Sequence, residues 1–290
     1  MVHKEWPLGS RKSVRSYTRP YFRWLLSRGC EHIHDAGVSE LQEYLRFCSE
    51  NMASSSLNNV KFTLKRLYAY LYQTGLAESA YDLLFSFPVR VLGKAKSAIP
   101  SEEIAVTLES VDRRTPIGKR DYAILLLGVV TGLRGIDIVK LHFSNIHWAI
   151  GEIHLCQSKT AVPLALPLTT DVGKAIEDYI RYGRPRCGQE NVFVTYHTPH
   201  RELSAMVVNN IHAKYRQSAG LVRTGFHGLR RSIGKSLVTT GSPITTVAQI
   251  LGHTDLVSTR QYISLDSLHL KECALCFAGI EFGGEIYEAP

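Results

Sequence analysis

Apolar residues step by three and four through part of the first third of the chain. Leu57, Val60, Leu64, Leu67 and Leu71 fall on one face, the period of an amphipathic helix. Ser54, Ser55 and Ser56 precede this run as capping residues, and Gly75 follows it as a stop. Further upstream Val14, Tyr17, Tyr21, Trp24 and Leu25 share a face, with Arg11, Arg15, Arg19 and Arg23 recurring every four residues beside it. Pro20 interrupts that second pattern and predicts a kink or a helix start there.

The pattern breaks at 92–100, Leu-Gly-Lys-Ala-Lys-Ser-Ala-Ile-Pro, which is short, basic and closed by Pro100. It reads as a linker. Ser101 then reads as an N-cap, with Glu102 and Glu103 in a first helical turn. Beyond it, helices are predicted near 102–112, 118–132, 170–182, 204–219, 227–240 and 244–251. Residues 152–157 and 162–168 read as two strands around a turn at 158–161, and 192–195 as a further strand. The stretch from 267 reads as a short helix ahead of a Gly-rich end. The fold class is mainly α with a small β-sheet. The expected domains are a helical one at 1–92, a linker at 93–100, an α+β one at 101–266 and a tail at 267–290.

Composition narrows the class. With 290 residues, 44% hydrophobic and 21% charged, the chain has ordinary globular proportions. Its start lacks an apolar signal-peptide core, and no apolar run approaches the ~18–20 residues of a membrane helix. The expectation is a cytoplasmic protein with no membrane partner. The net charge of +8 is uneven: residues 1–97 hold 14 Lys and Arg against 8 Asp and Glu. A basic first third points to a polyanion, and the Arg11–Arg23 series, with Lys61 and Lys65, forms the candidate phosphate-backbone contact set. Six cysteines without a secretory signal read as reduced thiols. His269, Cys273 and Cys276 are too few to make a zinc site.

Five short patterns carry the candidate chemistry: Thr-Gly-Leu-Arg at 131–134, Ser-Lys-Thr at 158–160, His-Gly-Leu-Arg at 227–230, Leu-Gly-His at 251–253 and Ser-Thr-Arg-Gln-Tyr at 258–262. They present Arg134, Lys159, His227, Arg230, His253 and Tyr262. Arg offers a planar fork of donors to two phosphate oxygens. Lys and His can move a proton, and Tyr can act as a nucleophile. His227 and Arg230 stand one helical turn apart and share a face. Each pattern alone is weak, and Arg134 could merely cap a helix or pair with Asp137.

In this order and spacing the patterns resemble the tyrosine recombinases, the phage-integrase and Xer-type family. The resemblance covers 101–266 strongly and 10–92 more weakly. It implies a site-specific DNA recombinase with a helical, SAM-like core-binding domain followed by a catalytic domain. By the same resemblance Arg134 and Arg230 grip the scissile phosphate, Lys159 is a mobile acid on its hairpin turn, and His227 is a base or phosphate ligand. His253 would support the phosphate and Tyr262 would form a 3′-phosphotyrosine. Asp137 stands where the family commonly has Glu. No metal, nucleotide or redox cofactor is implied. The implied partners are double-stranded DNA with specific target sites, a homotetramer in the synaptic complex that the tail swaps between protomers, and accessory DNA-bending or directionality proteins. A mobile-element integrase is the leading expectation. A Xer-like chromosome-dimer resolvase, a type IB topoisomerase and a non-catalytic DNA-binding homologue are the alternatives.

Overall fold

The computed structural model describes residues 8–87 and 98–252, and two short strands at 281–282 and 285–286; for 8–13 and those strands the description is of the backbone. The chain divides into two compact units, Met1–Lys94 and Ala95–Pro290. The boundary falls inside the stretch read as a linker.

The first unit is built from α1 (Leu8–Ser27), α2 (Val38–Asn51) and α3 (Ser54–Gln73). Tyr21 and Leu25 of α1 are buried, as the apolar face requires, while Arg15, Arg19 and Arg23 are exposed. Helix α1 runs through Pro20 without ending. A proline removes one backbone bond, and here the packing of Tyr21 and Leu25 in the core shared with α2 and α3 outweighs that loss. At the centre Tyr21 and Tyr68 share a hydroxyl–hydroxyl hydrogen bond of 2.5 Å, and the Tyr44 ring lies 4.8 Å from Tyr21. A buried phenol needs such a partner. Helix α2 was not anticipated, although Leu41, Tyr44, Leu45 and Cys48 are buried at helical spacing. Ala53 is the N-cap of α3 and makes no side-chain cap, so the three serines lie inside the first turn rather than capping it. Gly75 adopts φ 73° just past the helix end, as a stop should.

The second unit contains α4 (Ser101–Glu109), α5 (Pro116–Thr131), α6 (Gly135–Val139), α7 (Thr170–Tyr182), α8 (Ala205–Ser218), α9 (His227–Thr239) and α10 (Ile244–Ile250). Pro100, not Ser101, occupies the N-cap of α4, and the Ser101 hydroxyl bonds Glu102 instead. From Ala123 to Val130 helix α5 is apolar all round, which marks it as the buried core helix. Thr115 caps it by accepting from Gly118 N at 3.0 Å, and Gly132 ends it in the left-handed region at φ 64°. Helix α5 packs against α7 and α9.

Strands β1 (Ile146–His147), β2 (Glu152–Cys156) and β3 (Pro163–Pro167) form an antiparallel sheet in that order. Ile153 and Leu166 pair across β2 and β3 and are both buried, so one face of the hairpin is anchored in the core. The expected strand at 192–195 is corrected. Val192, Phe193 and Val194 are buried, but only isolated bridges form, His142 with Asn191 and Val194 with Glu202. Those apolar residues cross the core once, and among the described residues no neighbouring strand ladders against them. A two-stranded hairpin, β4 (Glu281–Phe282) with β5 (Glu285–Ile286), occurs in the tail. The helix expected from 267 lies outside the described residues.

Candidate active site

Arg134 owes its position to Gly132. A Cβ at Gly132 would lie 3.2 Å from the Ile233 and Leu251 side chains, and the left-handed turn redirects the chain so that Arg134 becomes the N-cap of α6. Arg134 is half-buried, and its Nη1 donates to Gln157 Oε1. It does not pair with Asp137. The Asp137 side chain is buried, and its Oδ1 accepts from Ser158 N at 2.8 Å. That bond ties α6 to the loop joining β2 and β3, so Asp137 braces the turn on which Lys159 sits.

The loop itself is closed by two backbone bonds, Gln157 N to Val162 O at 2.9 Å and Ala161 N to Gln157 O at 2.8 Å. Lys159 stands exposed at its tip. A flexible ammonium on a braced turn can swing through several ångströms while its backbone stays fixed.

Helix α9 brings His227 and Arg230. The residue before it, Phe226, is buried against α5, where a Cβ at Gly128 would meet its ring at 2.2 Å. This close packing seats the first turn of α9 against the end of α5. Arg230 is only 3% exposed. Its Nη1 donates to Gly132 O at 2.8 Å and its Nη2 to Leu251 O. Both carbonyls lie at helix C-termini, the negative ends that favour a guanidinium.

His227 reports on the whole neighbourhood. The residue is exposed. The protein packed around the ring, followed by the charges of Arg230, Arg231, Arg134 and Lys159, lowers its pKa to about 4. The imidazole is therefore neutral near pH 7, and the same cations weaken it as a base until a phosphate anion among them offsets their charge. Arg230 and Arg231 on α9, Arg134 at the start of α6 and Lys159 on the β2–β3 turn all act on this ring through their charge. Such a set can bind an anion and stabilise charge that develops on it.

Arg134, Lys159, His227 and Arg230, all marked by the sequence patterns, lie in one neighbourhood of the second unit. His253 and Tyr262 lie outside the described residues. The patterns did not mark Gln157, a buried side chain at the middle of this cluster. Among the expected DNA contacts, Arg15, Arg19 and Arg23 are exposed on α1; Arg11 lies on the same helix, within the part described by its backbone. Lys61 is a correction. It is buried, its Nζ donates to Phe87 O, and the ammonium lies 3.7 Å from the centre of the Phe87 ring. Lys65 is exposed and pairs with Asp82 at 3.2 Å. Among the described residues no cluster of three or more His, Cys, Asp or Glu could hold a metal ion, and Cys30, Cys48, Cys156 and Cys187 are free thiols. No described helix is long and apolar enough to cross a membrane.

The sequence pattern of the Phage integrase family matches residues 99–269. The chain belongs to that family. Its members are DNA-cleaving and rejoining enzymes, and this chain is a tyrosine-recombinase enzyme of site-specific recombination. It is 33% identical over 188 residues to the putative integrase/recombinase y4gC of Sinorhizobium fredii, covering 64% of this chain and 97% of that one. It is 26% identical over 279 residues to the tyrosine recombinase XerC of Oceanobacillus iheyensis, covering 90% of each. The fold is similar to that of a lambda integrase dimer bound to a COC′ core site, with TM-score 0.70, 18% identity and 90% of each chain covered. It is also similar to that of the Tn1549 transposon integrase in complex with circular intermediate DNA, with TM-score 0.67, 14% identity, and 92% of this chain and 95% of that one covered.

Proposed function

We propose that this family member recombines specific duplex DNA sites of a mobile element through a phosphotyrosine formed on Tyr262. The carrying observation is that Arg134 and Arg230 are tied together through Gln157 and the Leu251 carbonyl, beside the Lys159 turn and His227, inside the matched stretch that also holds His253 and Tyr262. The phenol of Tyr262 has a reference pKa of ~10 and needs a base. His227 takes its proton as the phenolate oxygen bonds to phosphorus. The bond to the 5′-oxygen breaks, and Lys159 gives that oxygen a proton. Arg134 and Arg230 donate to the non-bridging oxygens as their charge grows, and His253 adds a hydrogen bond. The product is a 3′-phosphotyrosine with a free 5′-hydroxyl. A 5′-hydroxyl from the partner duplex then attacks the phosphorus and releases the tyrosine. The ester bond is conserved through both steps, so the residues themselves suffice for the exchange.

Unit 1 would clamp the duplex through Arg15, Arg19 and Arg23 in the nucleoid-associated cytoplasm, with Arg11 extending the same series. Two duplexes would meet in a homotetramer that the 267–290 tail holds together, with accessory bending or directionality proteins as further partners. The similar structures include a lambda integrase tetramer bound to a Holliday junction, which supports the four-protomer reading. The resemblance to XerC supports a second reading, a chromosome-dimer resolvase. The test is strand exchange between two labelled duplexes carrying a sequence selected by the protein from a randomised pool. Recombinant strands are expected, and truncation after Asp266 should abolish them while binding to one site persists. Relaxation of supercoiled plasmid without strand exchange would refute recombination in favour of a topoisomerase. A selected sequence that flanks the gene as repeats supports the mobile element, whereas a single distant chromosomal copy supports the resolvase.

A further inference from the structure

Gln157 is 1% exposed, and its amide joins three parts of the site. Its Oε1 accepts from Arg134 Nη1 and from Thr160 Oγ1, the latter at 2.8 Å. Its Nε2 donates to Leu251 O at 3.3 Å. Leu251 O also accepts from Arg230 Nη2, and Arg230 Nη1 donates to Gly132 O, two residues before Arg134. The bonds close a ring: Arg134, Gln157, Leu251, Arg230, Gly132 and back along the chain to Arg134. The amide sits where both guanidinia and the Lys159 turn meet the segment that leads to His253 and Tyr262. Gly252 follows Leu251 at φ 60°, and a Cβ there would lie 2.3 Å from Gln157 Nε2. The chain passes directly over the amide.

We infer that Gln157 is a positioning residue that aims Arg134 and holds the Lys159 turn in register with the 251–252 segment. The inference rests on the proposed phosphoryl-transfer reading. A glutamine suits the place. Its oxygen takes two donors, one of them a cation, while its nitrogen gives a donor to a carbonyl that Arg230 also uses. A carboxylate could accept but not donate to Leu251 O. A methionine of the same length could do neither.

The test is a mutant cycle in the full chain, read by single-turnover cleavage of a nicked duplex bearing a 5′-bridging sulfur, whose better leaving group keeps slow variants measurable. A hydrogen bond to a charged group carries about a ten-fold effect or more, so Gln157→Met should slow cleavage about ten-fold or more in the wild-type background. In an Arg134→Ala background the same substitution should slow it less than about two-fold, because the residue it aims is gone. A merely structural role would lower both backgrounds alike. Gln157→Asn, which keeps a polar amide but draws it one methylene back from the Arg134 guanidinium, takes the same cycle should the Met variant fold poorly, since its effect must also shrink without Arg134. The inference is upheld when the loss shrinks more than three-fold on removing Arg134, and overturned when the two losses agree within three-fold. Failure of the wild-type chain to cleave at all would sink the phosphoryl-transfer reading itself, a separate result.

Discussion

Replacing Gly252 by Ala should damage the protein well beyond the strain of its backbone angle. An L-residue in the left-handed region costs roughly 1–2 kcal/mol. Gly220 lies in the same region at φ 70° with nothing within 4 Å of an added methyl, so Gly220→Ala isolates that strain. At Gly252 the methyl would fall 2.3 Å from Gln157 Nε2, inside any allowed contact. The buried amide must then move and weaken its bonds to Arg134, Thr160 and Leu251. A charged hydrogen bond contributes about 1.5–3 kcal/mol and a neutral one about 1 kcal/mol. Gly252→Ala should therefore destabilise the second unit by about 2–4 kcal/mol more than Gly220→Ala. Urea denaturation of the full-length variants, followed by circular dichroism, measures the difference. If the two alanine variants agree within about 1 kcal/mol, the packing of the 251–252 segment on Gln157 is wrong.

Arg230→Ala should lower single-turnover cleavage by about 100- to 1000-fold, the ~2.7–4 kcal/mol typical of a lost transition-state donor; Arg231→Ala, its neighbour, should change it little at neutral pH, and the reverse order would reassign the phosphate ligand. Lys159→Ala should fail on ordinary DNA and recover on a 5′-bridging sulfur substrate, whereas equal loss on both would leave Lys159 only a positioning role. His212 is buried, with its pKa lowered from 6.5 to about 4 by burial, opposed by its bond to Thr224 O and aided by Arg216. A depressed folded pKa means stability present above ~6.5 and lost as pH falls toward ~4, on the order of 3 kcal/mol. Plotting urea stability against pH should show that loss in the wild type and a shallower slope in His212→Gln, the slope that stays belonging to His227, whose pKa is lowered likewise; parallel slopes would exclude His212 as a cause.

Arg134, Lys159, His227 and Arg230 were legible as candidates, because cations in fixed local patterns stand out from ordinary surface charge. Gln157 did not stand out. It is a neutral side chain in an irregular residue after β2, where neither periodicity nor charge marks it. Lys61 was misread although its place was readable: four residues after Leu57 and three before Leu64, it lies on the apolar stripe of α3. Helix α2 also left a signal in Leu41, Tyr44, Leu45 and Cys48. Helix α6, at five residues, is too short to show a period. The apolar run at 192–195 has strand composition, but composition cannot say whether a neighbouring strand exists.

In the proposed reaction Tyr262 attacks the scissile phosphate. The most direct measurement of that attack is peptide mapping of the covalent protein–DNA adduct, trapped on a nicked duplex whose cut releases a short strand, so that rejoining cannot occur. The expected product is a nucleotide-modified peptide carrying its phosphate on Tyr262, with no adduct from Tyr262→Phe, although that variant still binds the duplex. An adduct on any other residue, or one formed by Tyr262→Phe, would contradict the assignment to Tyr262.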